Sequence, residues 1–128
     1  MKKALFVLMA AVISCSVHAQ LVHTQWKGAI YGDNPRNTLL KFGKDTATLY
    51  DAANGSVIET MTYKIKGNQF TVLKIYGQSD CDTHTPGSYT FNIKTGVMKV
   101  TVSVDDCYDR SSALDKTSWQ KTKYQAKG

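Results

Sequence analysis

The chain has 128 residues, 42% of them hydrophobic and 20% charged, which is enough for one folded domain and too apolar for a disordered polymer. Lys and Arg outnumber Asp and Glu by 16 to 10, a formal charge of +6. The basic residues Lys64, Lys66, Lys74, Lys94 and Lys99 stand singly rather than in a patch with interleaved aromatics, which points to a solvated outer face and away from nucleic-acid binding.

Lys2 and Lys3 precede an uncharged apolar run, Ala4 to Ile13, and Val17-His18-Ala19 follows as a small-residue cleavage site. That order reads as a signal peptide over 1–19 and an exported domain over 20–128, in the periplasm or outside the cell. A second route stays open. Val12-Ile13-Ser14-Cys15 is similar to the lipobox of bacterial lipoproteins, in which Cys15 would carry a lipid anchor. The apolar run is too short to span a bilayer as a helix, so no transmembrane span is expected. With 1–19 removed, Cys81 and Cys107 remain. An even count in an oxidising compartment predicts one disulfide. It would close a loop of about 26 residues, a stabilisation of roughly 3–4 kcal/mol in the chain-entropy picture. A metal pair is the poorer reading, because His84 is the one histidine near Cys81 and no Cys-x-x-Cys occurs.

From Gln25 onward, β-rich runs alternate with turn signals. Strands are expected near 26–31, 38–43, 46–52, 56–66, 69–76, 87–94, 97–104 and 117–122, with turns at Ala53-Asn54-Gly55, Gly67-Asn68 and Thr95-Gly96. Asn54-Gly55-Ser56 also matches a glycosylation sequon, but the hairpin turn explains the same residues. Tyr108 to Leu114 could hold one helical turn. Alternation assigns faces: Tyr89, Phe91 and Ile93 on one side; Met98, Val100, Val102 and Val104 together; Val57, Met61, Tyr63 and Ile65 together against Ile58, Thr60 and Thr62. One apolar and one polar face per strand, joined by short hairpins, predicts an all-β fold: a single antiparallel up-and-down barrel of about eight strands. A two-sheet sandwich is the runner-up.

Catalytic chemistry is sparse. Beyond residue 19 there are two histidines, His23 and His84, and one glutamate, Glu59. Asp80, Asp82 and His84 share the loop before Pro86, where they form either a polar loop tip or a cation or acid–base set. Asp105 and Asp106 are adjacent, so on a strand end they point oppositely and make no carboxylate pair. No phosphate loop, Gly-x-Ser-x-Gly or His-Glu-x-x-His occurs. The expectation is a non-enzyme with no cofactor and no metal.

Several stretches together carry a family resemblance: Trp26-Lys27-Gly28 at the first strand, Gly87-Ser88-Tyr89-Thr90-Phe91 after the cysteine loop, Asp105-Asp106-Cys107-Tyr108-Asp109-Arg110 after the next strand, then Leu114 and Trp119. Over most of the domain the chain resembles the small bacterial lipocalin-like proteins of the calycin type. The resemblance implies a barrel closed at one end around Trp26, with Arg110 laid over that indole; simple pairing of Arg110 with Asp106 or Asp109 is the alternative. Independently of the resemblance, a barrel of eight strands can hold one small ligand or simply fill with side chains, and the first expectation is a binding module for a small hydrophobic ligand inside the barrel, touched by the inward residues Phe42, Met61, Tyr63, Phe70, Tyr89 and Phe91 together with Arg110. An interior of about 300 Å³ or more would fit that role, and a core filled by these large side chains would not. The alternative is an envelope-located protein-binding or inhibitor module acting through the 76–87 loop, which carries Tyr76, Asp80, Asp82 and His84.

Overall fold

The computed structural model describes residues 21–125. The signal segment read over 1–19 and the lipobox cysteine Cys15 lie outside the described residues. Eight antiparallel strands follow in chain order: β1 (Thr24–Ile30), β2 (Arg36–Phe42), β3 (Thr46–Asp51), β4 (Val57–Lys66), β5 (Gln69–Gly77), β6 (Gly87–Lys94), β7 (Val97–Asp105) and β8 (Thr117–Thr122). A two-turn helix, α1 (Tyr108–Leu114), joins β7 to β8. Each strand pairs with the next, and β8 returns to β1 through the register Gln25↔Thr122 to Gly28↔Trp119. The sheet is therefore a closed barrel rather than a sandwich, and closure removes the unpaired edges a small β protein must otherwise protect. Among the described residues no helix is long and apolar enough to cross a membrane.

The up-and-down order gives the barrel two distinct ends. One, the helix end, carries α1, the β1–β2 and β3–β4 turns and the 78–86 segment. The other carries Leu21 and the turns after β2, β4 and β6. Both ends are entered by the same local device. At the far end Thr24 Oγ1 donates to the Leu21 carbonyl (2.6 Å) and accepts from Trp26 Nε1 (2.8 Å). At the helix end Thr117 Oγ1 donates to the Leu114 carbonyl (2.7 Å) and accepts from Trp119 Nε1 (2.8 Å). His23 and Lys116, each just before its threonine, take left-handed φ of 58° and 60°. Both indoles are fully buried, so the threonine is what satisfies their N–H. Between them Phe42, Tyr63, Phe70, Tyr89 and Phe91 interlock, with ring centroids 5.0–6.0 Å apart.

Strict alternation fails at three shifts of register, one of them at Ile75 on β5, where the pairing goes from Met61↔Lys74 to Thr60↔Tyr76; the other two reposition residues read from the sequence. On β7 the pairing goes from Tyr89↔Val102 to Ser88↔Val104, so Ser103 is an extra residue. Such a bulge reverses the facing of everything beyond it. Val104, expected inside with Met98 and Val100, is 67% exposed, and Asp105 turns inward instead. On the β3–β4 pair the register goes from Leu49↔Glu59 to Tyr50↔Val57. Ile58, expected on the polar face, is buried, and Val57 is exposed.

Candidate functional site

The bulge on β7 builds a buried ion pair. Arg110, on α1, donates from Nε to Asp105 Oδ2 (2.6 Å) and from Nη2 to Asp105 Oδ1 (2.8 Å). Asp105 also accepts from the Tyr89 hydroxyl and from the Cys107 amide (2.9 Å). Arg110 Nη2 further donates to the Thr85 carbonyl (2.8 Å). Arg110 is 4% exposed, and the Asp105 side chain is shut off from solvent. Burial works to raise the Asp105 carboxyl, but the bonds from Arg110, Tyr89 and the Cys107 amide outweigh it and hold the group below the usual aspartate range. Burial, reinforced by the bond to Asp105, pushes the Tyr89 hydroxyl well above an ordinary phenol. The guanidinium is thus committed to Asp105 and Thr85. It is not laid over Trp26, and its carboxylate partner is neither Asp106 nor Asp109. Among the described residues the one cation over aromatic rings is Lys41, facing Tyr50 and Tyr124. The pair leaves no room for a side chain at residue 87, since a Cβ on Gly87 would collide with the Asp105 carboxylate and Arg110 Nε.

The 78–86 segment is fastened over this pair. Cys81 and Cys107 form a disulfide with Cα atoms 5.5 Å apart. The Asp80 amide donates to Asp109 Oδ2 (2.8 Å). Asp82 Oδ1 accepts from the His84 amide (2.7 Å) and Thr85 Oγ1 (3.0 Å), which shapes the loop tip. The His84 amide and the Thr85 hydroxyl lower the Asp82 carboxyl. Asp80, Asp82 and His84 are therefore parts of a turn, and among the described residues no three His, Cys, Asp or Glu side chains converge to hold a metal.

Under that segment lies a half-open pocket of about 180 Å³, bordered by the β1–β2 turn, β4, Gln78-Ser79 and α1. Its apolar wall is Ile30, Leu49, Ile58, Met61 and Leu114. Its polar wall includes Glu59, only 5% exposed. Glu59 Oε1 accepts from the Ser79 amide (3.1 Å) and Oε2 from the Ser79 hydroxyl. The glutamate packs directly on Gly77, whose φ is +148°, and a Cβ there would strike Glu59 Oε1 and Cα. Arg36 closes the rim, bound to Asp51 (3.2 Å) and Gln78 Oε1 (3.0 Å).

Of the residues expected to touch a ligand, Met61 and Arg110 line this cavity. Phe42, Tyr63, Phe70, Tyr89 and Phe91 lie buried below it and pack on one another. A second void, deeper among Phe42, Phe70 and Trp119, measures about 20 Å³, so the barrel centre is filled by its own side chains. Glu59 and Ser79 were not anticipated as site residues. The signal was present, since the one glutamate of the chain falls in phase with the inward Met61 and Tyr63.

Fold and site together define a closed eight-stranded barrel with a packed centre and one small, mixed-polarity pocket beneath a disulfide-pinned loop. In comparisons with known proteins, no family model, no curated protein and no solved structure matches this chain.

Proposed function

We propose that the protein is an exported, lipocalin-like binding module rather than an enzyme, and that it takes a small ligand with an apolar body in the cavity at the helix end. One observation carries this reading: an apolar wall of five side chains faces a 180 Å³ space that the protein leaves unfilled, next to a centre that its own side chains fill but for a void of about 20 Å³. The volume is below the ~300 Å³ where sites for drug-sized ligands begin, so the ligand is a short aliphatic group and not a long acyl chain. The test is a titration of the disulfide-bonded protein with n-pentanol, followed by amide chemical shifts. Saturable shifts confined to β4, α1 and residues 78–79, abolished in Ala113→Phe, are expected. Absence of saturation, or binding indifferent to Ala113→Phe, overturns the reading. Export is tested separately by the mass of the mature chain, which distinguishes a start at Gln20 from a lipid on Cys15.

Action on a protein partner through the 76–87 loop is the second reading. It draws support from Tyr76 and Tyr108, 59% and 75% exposed at the two roots of the disulfide-linked segments. Exposed tyrosines on a pinned scaffold are the residues that dominate contact surfaces. Retention of an envelope protein by the native chain and its loss in Tyr76→Ser/Tyr108→Ser would favour it over the cavity.

A further inference from the structure

The charges around the cavity specify its occupant more narrowly. Five charged side chains line it: Asp33, Arg36, Glu59, Asp109 and Arg110. The two arginines are already matched, Arg36 by Asp51 and Arg110 by Asp105, and these are the two salt bridges among the described residues. What remains is a set of three carboxylates without a cation. Asp109 accepts one amide hydrogen bond, from Asp80, and Asp33 is exposed at the rim. Glu59 is the deep member. It is buried against the apolar wall, and both its oxygens are hydrogen-bonded by a single neutral residue, Ser79. Lys74 directs its ammonium to the Ser79 carbonyl (2.6 Å), and it makes no salt bridge with the carboxylate. A buried carboxylate is costly to keep without a counter-charge, and two donors leave roughly half of its four lone-pair positions free.

Resting on the reading that this cavity is the binding site, we infer that its ligand carries a primary ammonium group on a short alkyl stem, with the ammonium on Glu59 and the stem along Ile30, Leu49, Ile58, Met61 and Leu114. Asp33 and Asp109 add attraction at the mouth. The compact ammonium suits a space of this size and brings three donors to the carboxylate. A divalent metal does not suit it, because the carboxylates do not converge. An anion is opposed by all three. The one feature in its favour is a pair of buried N–H groups without acceptors, Arg36 Nε and Arg110 Nη1. Both are closed to solvent and belong to guanidiniums that already hold an aspartate. The same chemistry has two sources, a free alkylamine or the lysine side chain of a protein.

The experiment compares n-pentylamine, n-pentanol and pentanoate, matched in stem and different in head, by the same chemical-shift titration at neutral pH. The amine binds about tenfold more tightly than the alcohol, and pentanoate binds more weakly than either. Glu59→Gln brings the amine to the level of the alcohol, so that the tenfold ratio between the two falls to about one. Asp33→Asn costs the amine about twofold, and salt erases that difference. Should Glu59→Gln fail to fold, the ranking of the three ligands on the native protein decides alone. Equal binding of amine and alcohol, or pentanoate binding the tightest, overturns the ammonium seat while leaving the small-ligand reading intact. No binding by any of the three removes both. Nα-acetyl-lysine methylamide binding as well as pentylamine assigns the seat to a lysine side chain, and its exclusion assigns the seat to a free amine.

Discussion

Arg110 and Asp105 form a pair that is isolated from water and tightly hydrogen-bonded, so its value is asymmetric. Replacing both partners removes one buried ion of each sign, whereas replacing one strands the other. Arg110→Met is therefore expected to cost about 3–5 kcal/mol in denaturant unfolding, and Asp105→Asn/Arg110→Met to recover part of that loss. A double variant no more stable than Arg110→Met would refute the stranded-charge account. The same pair sets an acid limit. Asp105 holds its charge to lower pH when folded than when unfolded, so the unfolded chain binds the proton more readily. Its contribution is complete above the ordinary aspartate value of 3.8 and is lost as pH falls below it. Urea midpoints measured downward from pH 5 should fall more steeply for the native chain than for Asp105→Asn. Parallel slopes would mean that other carboxylates govern acid unfolding.

The strands were legible because alternation is a local signal, and the runs around Tyr89-Phe91-Ile93 and Met98-Val100 face as their residues dictate. The bulges were not legible, because an extra residue on one strand is defined by the partner it fails to meet. That is why Val104 looked like core, and why the partner of Arg110 was sought at Asp106 and Asp109 while Asp105 turned inward. Glu59 was hidden differently: its phase was readable, but the cavity beside it depends on where residues 78–79 land. The paired entry device is written in the sequence in full. Leu-x-x-Thr-x-Trp occurs at 21–26 and again at 114–119, before the first strand and before the last. Each threonine hydroxyl stands between a buried indole N–H and a leucine carbonyl, so Thr24→Val and Thr117→Val each leave two groups without partners in a space that valine otherwise fills. Each should cost about 1–3 kcal/mol, with the two effects adding because the sites lie at opposite ends of the barrel. Thermal or chemical unfolding of the two single variants and the double variant checks both the size and the additivity.

Closure of the barrel and shaping of the cavity rest on different bonds, and this separates stability from binding. The seam between β1 and β8 is made of backbone pairs between the chain's two extremes and needs no covalent help. The cavity depends on Ser79, which holds Glu59 and lies two residues from the Cys81–Cys107 bridge. Cutting that bridge frees a 26-residue span in the unfolded chain, an expected loss of roughly 3–4 kcal/mol, while β1 to β8 remain paired. It also releases the segment that roofs the cavity. Cys81→Ser/Cys107→Ser should therefore keep the far-ultraviolet spectrum of the barrel, unfold at lower denaturant, and lose affinity for pentylamine by more than for pentanol. The amine needs Glu59 oriented by Ser79, and the alcohol needs only the apolar wall. An equal loss for both ligands would place the whole pocket under control of the loop, and no loss for either would show that Ser79 keeps its position through the strand end at Gly77 alone.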